Sequence, residues 1–237
     1  MISYINLDRP FTFEDSSLIK YIALALTLAV APLSGFAAQF VEGKHFTTVT
    51  NKAPSAEPKL TEFFSFYCHN CFNMETQFLG DIKANLNKSV TFDSKHVDFM
   101  NSDIGTEVMR SLAVIQEADL GDKMTHAMFV AIQGEEGAHG HSHDHDHSAH
   151  EKPEINNRDD IKKVFAEHGF DVSKYDAIAD SKAVNDKIDL WRVQQREFRV
   201  QSVPAFIVND KYAVNMGQIR TLGELIDLIN YLAVERK

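Results

Sequence analysis

The sequence predicts an α/β fold: a small mixed sheet interrupted by an all-helical insertion. Three observations lead there. Runs with strand character fall in two groups, one before residue 100 and one after residue 204. The roughly hundred residues between them carry only helical periodicity. The length of 237 residues suits one domain with an insertion.

The elements follow in order. "HFTTVT" (45–50) is rich in β-branched residues and reads as a short strand. "NKAPSAEP" (51–58), with two prolines, is a turn region. "KLTEFFSFY" (59–67) is apolar with little alternation, which predicts a strand buried on both faces. The period then changes: Phe78, Leu79, Ile82 and Leu86 predict a helix from about Cys71 to Asn87. "SVTFDSKHVDFM" (89–100) is a further strand, with Val90, Phe92, Val97 and Phe99 as core positions.

Four helical stripes follow: Ile104, Val108, Leu112 and Ile115; Met124, Met128, Phe129 and Ile132; Ile161, Val164 and Phe165; and Val184, Ile188, Trp191, Gln195 and Phe198. The third ends at Gly169, a C′ residue by type. Packed faces explain these stripes without a ligand. "AFIVND" and "KYAVNM" flank Asp210-Lys211 as a hairpin. Thr221-x-x-Glu224 is a capping box opening a last helix, whose apolar face is Leu222, Leu225, Ile226, Ile229 and Leu232. The resulting divisions are 38–100, an insertion over 101–199, and 200–237.

A hydrophobic share of 44% with 17 Phe and 6 Pro indicates a packed core and not a disordered chain. Net charge of −10 with no basic stripe excludes a nucleic-acid binder. Residues 1–37 read as an N-terminal extension and signal peptide. Lys20 precedes an apolar run from Tyr21 to Leu33, about 13 residues against the ~20 that span a bilayer. Small residues follow, with cleavage expected after Ala37. Residues 1–17 carry Asp8, Glu14 and Asp15 against Arg9, an acidic lead where signals are basic. A true start at Leu18 is therefore expected. Export places the mature chain where disulfides form.

The only cysteines, Cys68 and Cys71, lie in "FFSFYCHNCF". A zinc site needs four ligands, and no second cysteine pair exists. A structural disulfide stabilises least when its loop is this short. A redox pair has a reason for each part. Cys68 falls where a strand gives way to a helix, and unpaired N–H groups there favour a thiolate. Cys71 lies one turn later, within disulfide reach. In "QSVPAFIV", Val203-Pro204 precedes a strand; either a cis bond or a strand-initiating trans proline fits.

These residues resemble the DsbA family of thiol–disulfide oxidoreductases. "EGKHFTTV", "EFFSFYC", "KHVDFM" and "SVPAFIVNDKYAVN" carry the resemblance, in the family's order and spacing. It implies a thioredoxin-like fold with a helical insertion. It implies Cys68 as the attacking and attacked sulfur, Cys71 as its partner, and Pro204 as a cis proline facing them. Val203 would line the substrate site. Glu62 would be a buried acid beneath the pair, expected to titrate high. No cofactor or metal is implied beyond the Cys68–Cys71 disulfide. The implied partners are reduced, unfolded exported proteins and a DsbB-like membrane oxidase, with the enzyme a periplasmic monomer.

Two departures bear on redox tuning. The dipeptide between the cysteines is His69-Asn70, where the best-known members have proline then histidine. The lysine usual opposite the buried acid falls on Ser94, with Lys95 on the other strand face. An oxidising pair weaker than the strongest members is expected. The alternatives are a disulfide isomerase or reductase, and a non-catalytic exported chaperone or metal-binding protein. The latter would use His139, His141, His143, His145, His147 and His150 in the insertion's loop 135–152, interleaved with Asp144 and Asp146. That run has no counterpart in the family and reads first as a solvated loop.

Overall fold

The computed structural model describes residues 40–134 and 155–236. The targeting segment, the start at Leu18 and the histidine run fall outside them. Residues 40–237 form one compact unit.

The sheet begins with β1 (Phe46–Thr48) and β2 (Lys59–Phe64). Helix α1 (His69–Met74) follows, continues through a π-helical turn (Glu75–Leu79) and runs on as α2 (Gly80–Asn85) to β3 (Thr91–His96). The insertion's helices are α3 (Asp103–Glu117), α4 (Gly121–Gln133), α5 (Arg158–Glu167), α6 (Tyr175–Ala179) and α7 (Lys182–Glu197). The chain returns to the sheet with β4 (Ala205–Val208) and β5 (Tyr212–Val214) and closes with α8 (Leu222–Asn230). The strand order is β1-β5-β4-β2-β3, parallel only between β2 and β3. The sheet is therefore mixed, and the parallel pair needs the crossover that α1 and α2 supply.

Local chemistry sets the helix ends. Ser102, Asn157 and Ser181 cap α3, α5 and α7 by accepting N–H groups of the first turn. Gly169 follows α5 with φ +85°. Its N–H reaches Ala166 O, and the Phe170 N–H reaches Phe165 O. That is a Schellman end, closed by an edge-on contact of the Phe165 and Phe170 rings. Thr221 Oγ1 accepts the Glu224 N–H at 3.1 Å, but the Glu224 carboxylate accepts from Arg220 N rather than from Thr221. The box thus closes one residue further out. In the hairpin, Asn209 and Asp210 hold the two positive φ angles, so the tight turn lies one residue before Asp210-Lys211.

Two core positions expected from the sequence are surface residues. Phe78 is 39% exposed, because the π-helical turn interrupts the α-helical stripe and turns Leu79 inward instead. Phe99 is 50% exposed, because β3 ends at His96 and the alternation stops there. The first helix also starts two residues early, at His69, since Cys68 serves as its N-cap.

The buried side chains fall into three clusters. One joins Phe64, Phe66, Cys71 and Phe72 to the insertion helices. A second packs α8 and Ile82 against the sheet. The third covers the other sheet face through Phe63, Val97, Phe198, Val200 and Ile207.

Candidate active site

The site forms where β2 ends. Phe63 and Phe64 anchor the strand on opposite faces, and Ser65 to Tyr67 turn the chain, with the Cys68 N–H on Ser65 O at 3.0 Å. Cys68 then caps α1: its Sγ accepts the Cys71 N–H at 3.2 Å. Its thiol faces Val203 O at 3.4 Å. The Val203–Pro204 peptide bond is cis. The structure therefore brings Cys68, Cys71 and Val203 together across 135 residues of sequence separation.

The two sulfurs are both free thiols in opposite environments. Cys68 is partly exposed, whereas Cys71 is 1% exposed. The hydrogen bond from the Cys71 thiol lowers the Cys68 pKa most, and the N–H groups of Cys71 and Asn70 add to it. Against partial burial, they hold Cys68 at about 7. Burial, foremost, pushes Cys71 far up, and its hydrogen bond to Cys68 adds to that. One sulfur is thus a ready thiolate near neutral pH, and the other keeps its proton.

Aromatic packing is the source of that burial. Phe72 stacks on Phe129 at 5.1 Å, and Phe66 meets Phe129 edge-on at 4.9 Å. Phe129 belongs to α4, so the insertion walls Cys71 off from water.

Glu62 lies beneath the pair, 3% exposed. It lines a cavity of about 130 Å³ together with Cys71, Glu75, Lys83 and Ser94. Burial raises its pKa to about 8, against the pull of the Lys83 charge. Ser94 stands opposite Glu62 in the β2–β3 register. Lys95 turns to the other face, where it bonds Gln194 at 2.5 Å and approaches the Phe63 ring. Lys83, from α2, is the cation on the Glu62 side; it also binds Asp122 at 2.9 Å. The family resemblance placed Ser94 and strand alternation placed Lys95, but neither pointed to Lys83, which comes from a helix that no strand register predicts.

His69 and Asn70 are both exposed. The groups that lower the Cys68 pKa are Cys71 and the Asn70 backbone; the His69 ring is not among them. Among the described residues, no group of three or more His, Cys, Asp or Glu side chains is arranged to hold a metal, and no helix is long and apolar enough to cross a membrane.

Comparison with known proteins agrees with this geometry. Residues 59–226 match the family model of the DSBA-like thioredoxin domain. The thiol:disulfide interchange protein DsbA of Salmonella typhi is 31% identical over 227 residues, covering 92% of this chain and all of that one. The Shigella flexneri protein of the same name is 28% identical over 226 residues, with the same coverage. A solved Proteus mirabilis DsbA, in complex with a non-covalently bound peptide PWATCDS, superposes with a TM-score of 0.69 at 26% identity. It covers 82% of this chain and 98% of its own. The chain belongs to the DsbA family: it is a thiol:disulfide oxidoreductase with a thioredoxin-like fold, working through a cysteine pair.

Proposed function

We propose that Cys68 and Cys71 are the catalytic pair, and that the enzyme inserts disulfides into exported proteins in the periplasm. A substrate thiolate attacks Sγ of Cys68 in the oxidised pair. The Cys68–Cys71 bond breaks, and Cys71 leaves as a thiolate that takes up a proton. A second substrate thiolate then attacks the substrate sulfur of the mixed disulfide. Its product is a substrate disulfide, and Cys68 leaves as a thiolate. Two electrons pass to the enzyme, and a DsbB-like membrane oxidase removes them.

One observation carries this reading: the reachable sulfur is also the one that leaves well, held near 7 by its neighbours. A stabilised Cys68 thiolate stabilises the reduced pair and makes the disulfide oxidising. Val203 and Pro204 form the substrate side, and the Val203 carbonyl beside Sγ suits pairing with an extended chain. The non-covalently bound peptide of the Proteus relative supports binding of a peptide chain here. Glu62 is assigned a tuning role through its place at the cavity beside Cys71. Asn70 tunes through its N–H in the first turn of α1.

Replacing Cys71 by Ala tests the assignment. The variant should accumulate mixed disulfides with exported proteins through Cys68, resolved on a non-reducing gel. A variant that traps none, while folded, would count for a binding protein and against the exchange mechanism.

A further inference from the structure

The turn that presents Cys68 is held from two sides by side chains outside the exchange chemistry. Phe66 stands two residues before Cys68. On the sheet side, Nε2 of His96 accepts the Phe66 N–H at 3.0 Å. On the insertion side, Nε2 of Gln133 donates to Phe66 O at 2.6 Å and to Cys68 O at 3.2 Å. His96 ends β3 and Gln133 ends α4, so the peptide groups of one short turn join sheet and insertion.

Packing does not explain His96. His96 is 1% exposed and lies against the Phe64 and Phe66 rings, an aromatic site that an apolar residue would fill. Its Nδ1 has no partner among the described residues. Burial lowers its pKa to about 3, so the ring is neutral, with Nε2 accepting and the proton on Nδ1. A buried donor left without a partner is destabilising. The acceptor on the ring's other side is what His96 provides in return.

We propose that His96 and Gln133 are positioning residues for disulfide exchange, clamping the Phe66 peptide so that Cys68 is fixed against the first turn of α1. The inference rests on the Cys68–Cys71 reading above. Its physical basis is the Cys68 carbonyl. That oxygen already accepts the N–H groups of Cys71 and Phe72, at 3.0 and 3.1 Å. The same N–H of Cys71 also reaches Sγ. Gln133 is the third donor on that carbonyl and the one that comes from outside the helix. Holding the carbonyl fixes the Cys68 backbone, and the backbone fixes where Sγ sits relative to the N–H groups that stabilise its charge. The insertion thereby acts on the redox sulfur through α4.

The test uses the full chain with Gln133→Leu, His96→Leu and His96→Gln. Cys68 is titrated by thiolate absorbance, the pair is equilibrated with glutathione, and unfolding of the oxidised protein is measured alongside. Gln133→Leu and His96→Leu should each raise the Cys68 pKa and make the pair less oxidising. The glutathione constant should move by roughly two- to tenfold, the range one hydrogen bond's net worth spans. His96→Gln, which can present an acceptor near the place of Nε2, should recover most of the loss.

The clamp is overturned if both Leu variants change only the unfolding midpoint and leave titration and equilibrium at parent values. It is equally overturned if His96→Gln behaves like His96→Leu. Should His96→Leu fail to fold, Gln133→Leu at the end of its helix decides alone. A parent whose Cys68 titrates like a free thiol defeats the underlying exchange reading; a parent near 7 with unmoved variants defeats only the clamp.

Discussion

Replacing Glu62 by Gln removes a buried ionisable carboxyl while keeping its shape. The folded protein holds the Glu62 proton up to about 8, whereas an unfolded chain releases it near 4.3. Between those values the native state binds more protons than the unfolded one, so stability falls as pH rises. Below the lower value this route costs nothing, and above the upper value the full cost is present. At pH 7 the gap between the two values is worth roughly 3 to 4 kcal/mol at about 1.4 kcal/mol per pH unit. The assay is urea unfolding of the oxidised parent and Glu62→Gln across pH 4.5 to 8.5, with the disulfide intact so that neither thiol titrates. Glu62→Gln should be the more stable protein at pH 7, with the advantage shrinking towards pH 4.5. Stability curves that run parallel across the range would refute a carboxyl that titrates this high.

Two further expectations concern other parts of the molecule. The Tyr175 hydroxyl is buried without a hydrogen-bond partner among the described residues, so Tyr175→Phe should stabilise the protein by about 1 kcal/mol in chemical unfolding. Asn70→His would bring a protonatable ring to the helix start beside Cys68. It should lower the Cys68 pKa by about one unit or less and make the pair more oxidising, as read from the glutathione equilibrium; an unmoved constant would argue against electrostatic control by that position.

Much of the fold was legible because it rests on local patterns. The apolar run over β2, the stripes of α3, α4, α5, α7 and α8 and the β4–β5 hairpin are written in period and turn chemistry. The family resemblance put Ser94 opposite Glu62, and alternation along β3 then put Lys95 on the other face, as the register has it. The cysteine spacing located the reactive turn. The sequence was silent where a contact joins distant elements through single polar side chains. Gln133 reads as an ordinary last residue of a helix, and His96 as one letter of a strand, although "KHVDFM" contains it. Lys83 sits on the outward side of a helical pattern and gave no sign of facing a buried acid. The π-helical turn at Glu75–Leu79 is likewise a tertiary choice, and it is why Phe78 was placed inside. The Cys68 pKa is set first by the hydrogen bond from the Cys71 thiol and then by the N–H groups of Cys71 and Asn70, a geometry that no residue letter reveals.

The account turns on the charge of one sulfur. Titrating the reduced protein by ultraviolet thiolate absorbance addresses it directly. A single thiol with a midpoint near 7 is expected, with Cys71 still protonated well above it. A first midpoint at the free-cysteine value of about 8.5 would contradict the account, since Cys68 would then be no better a leaving group than a thiol in water.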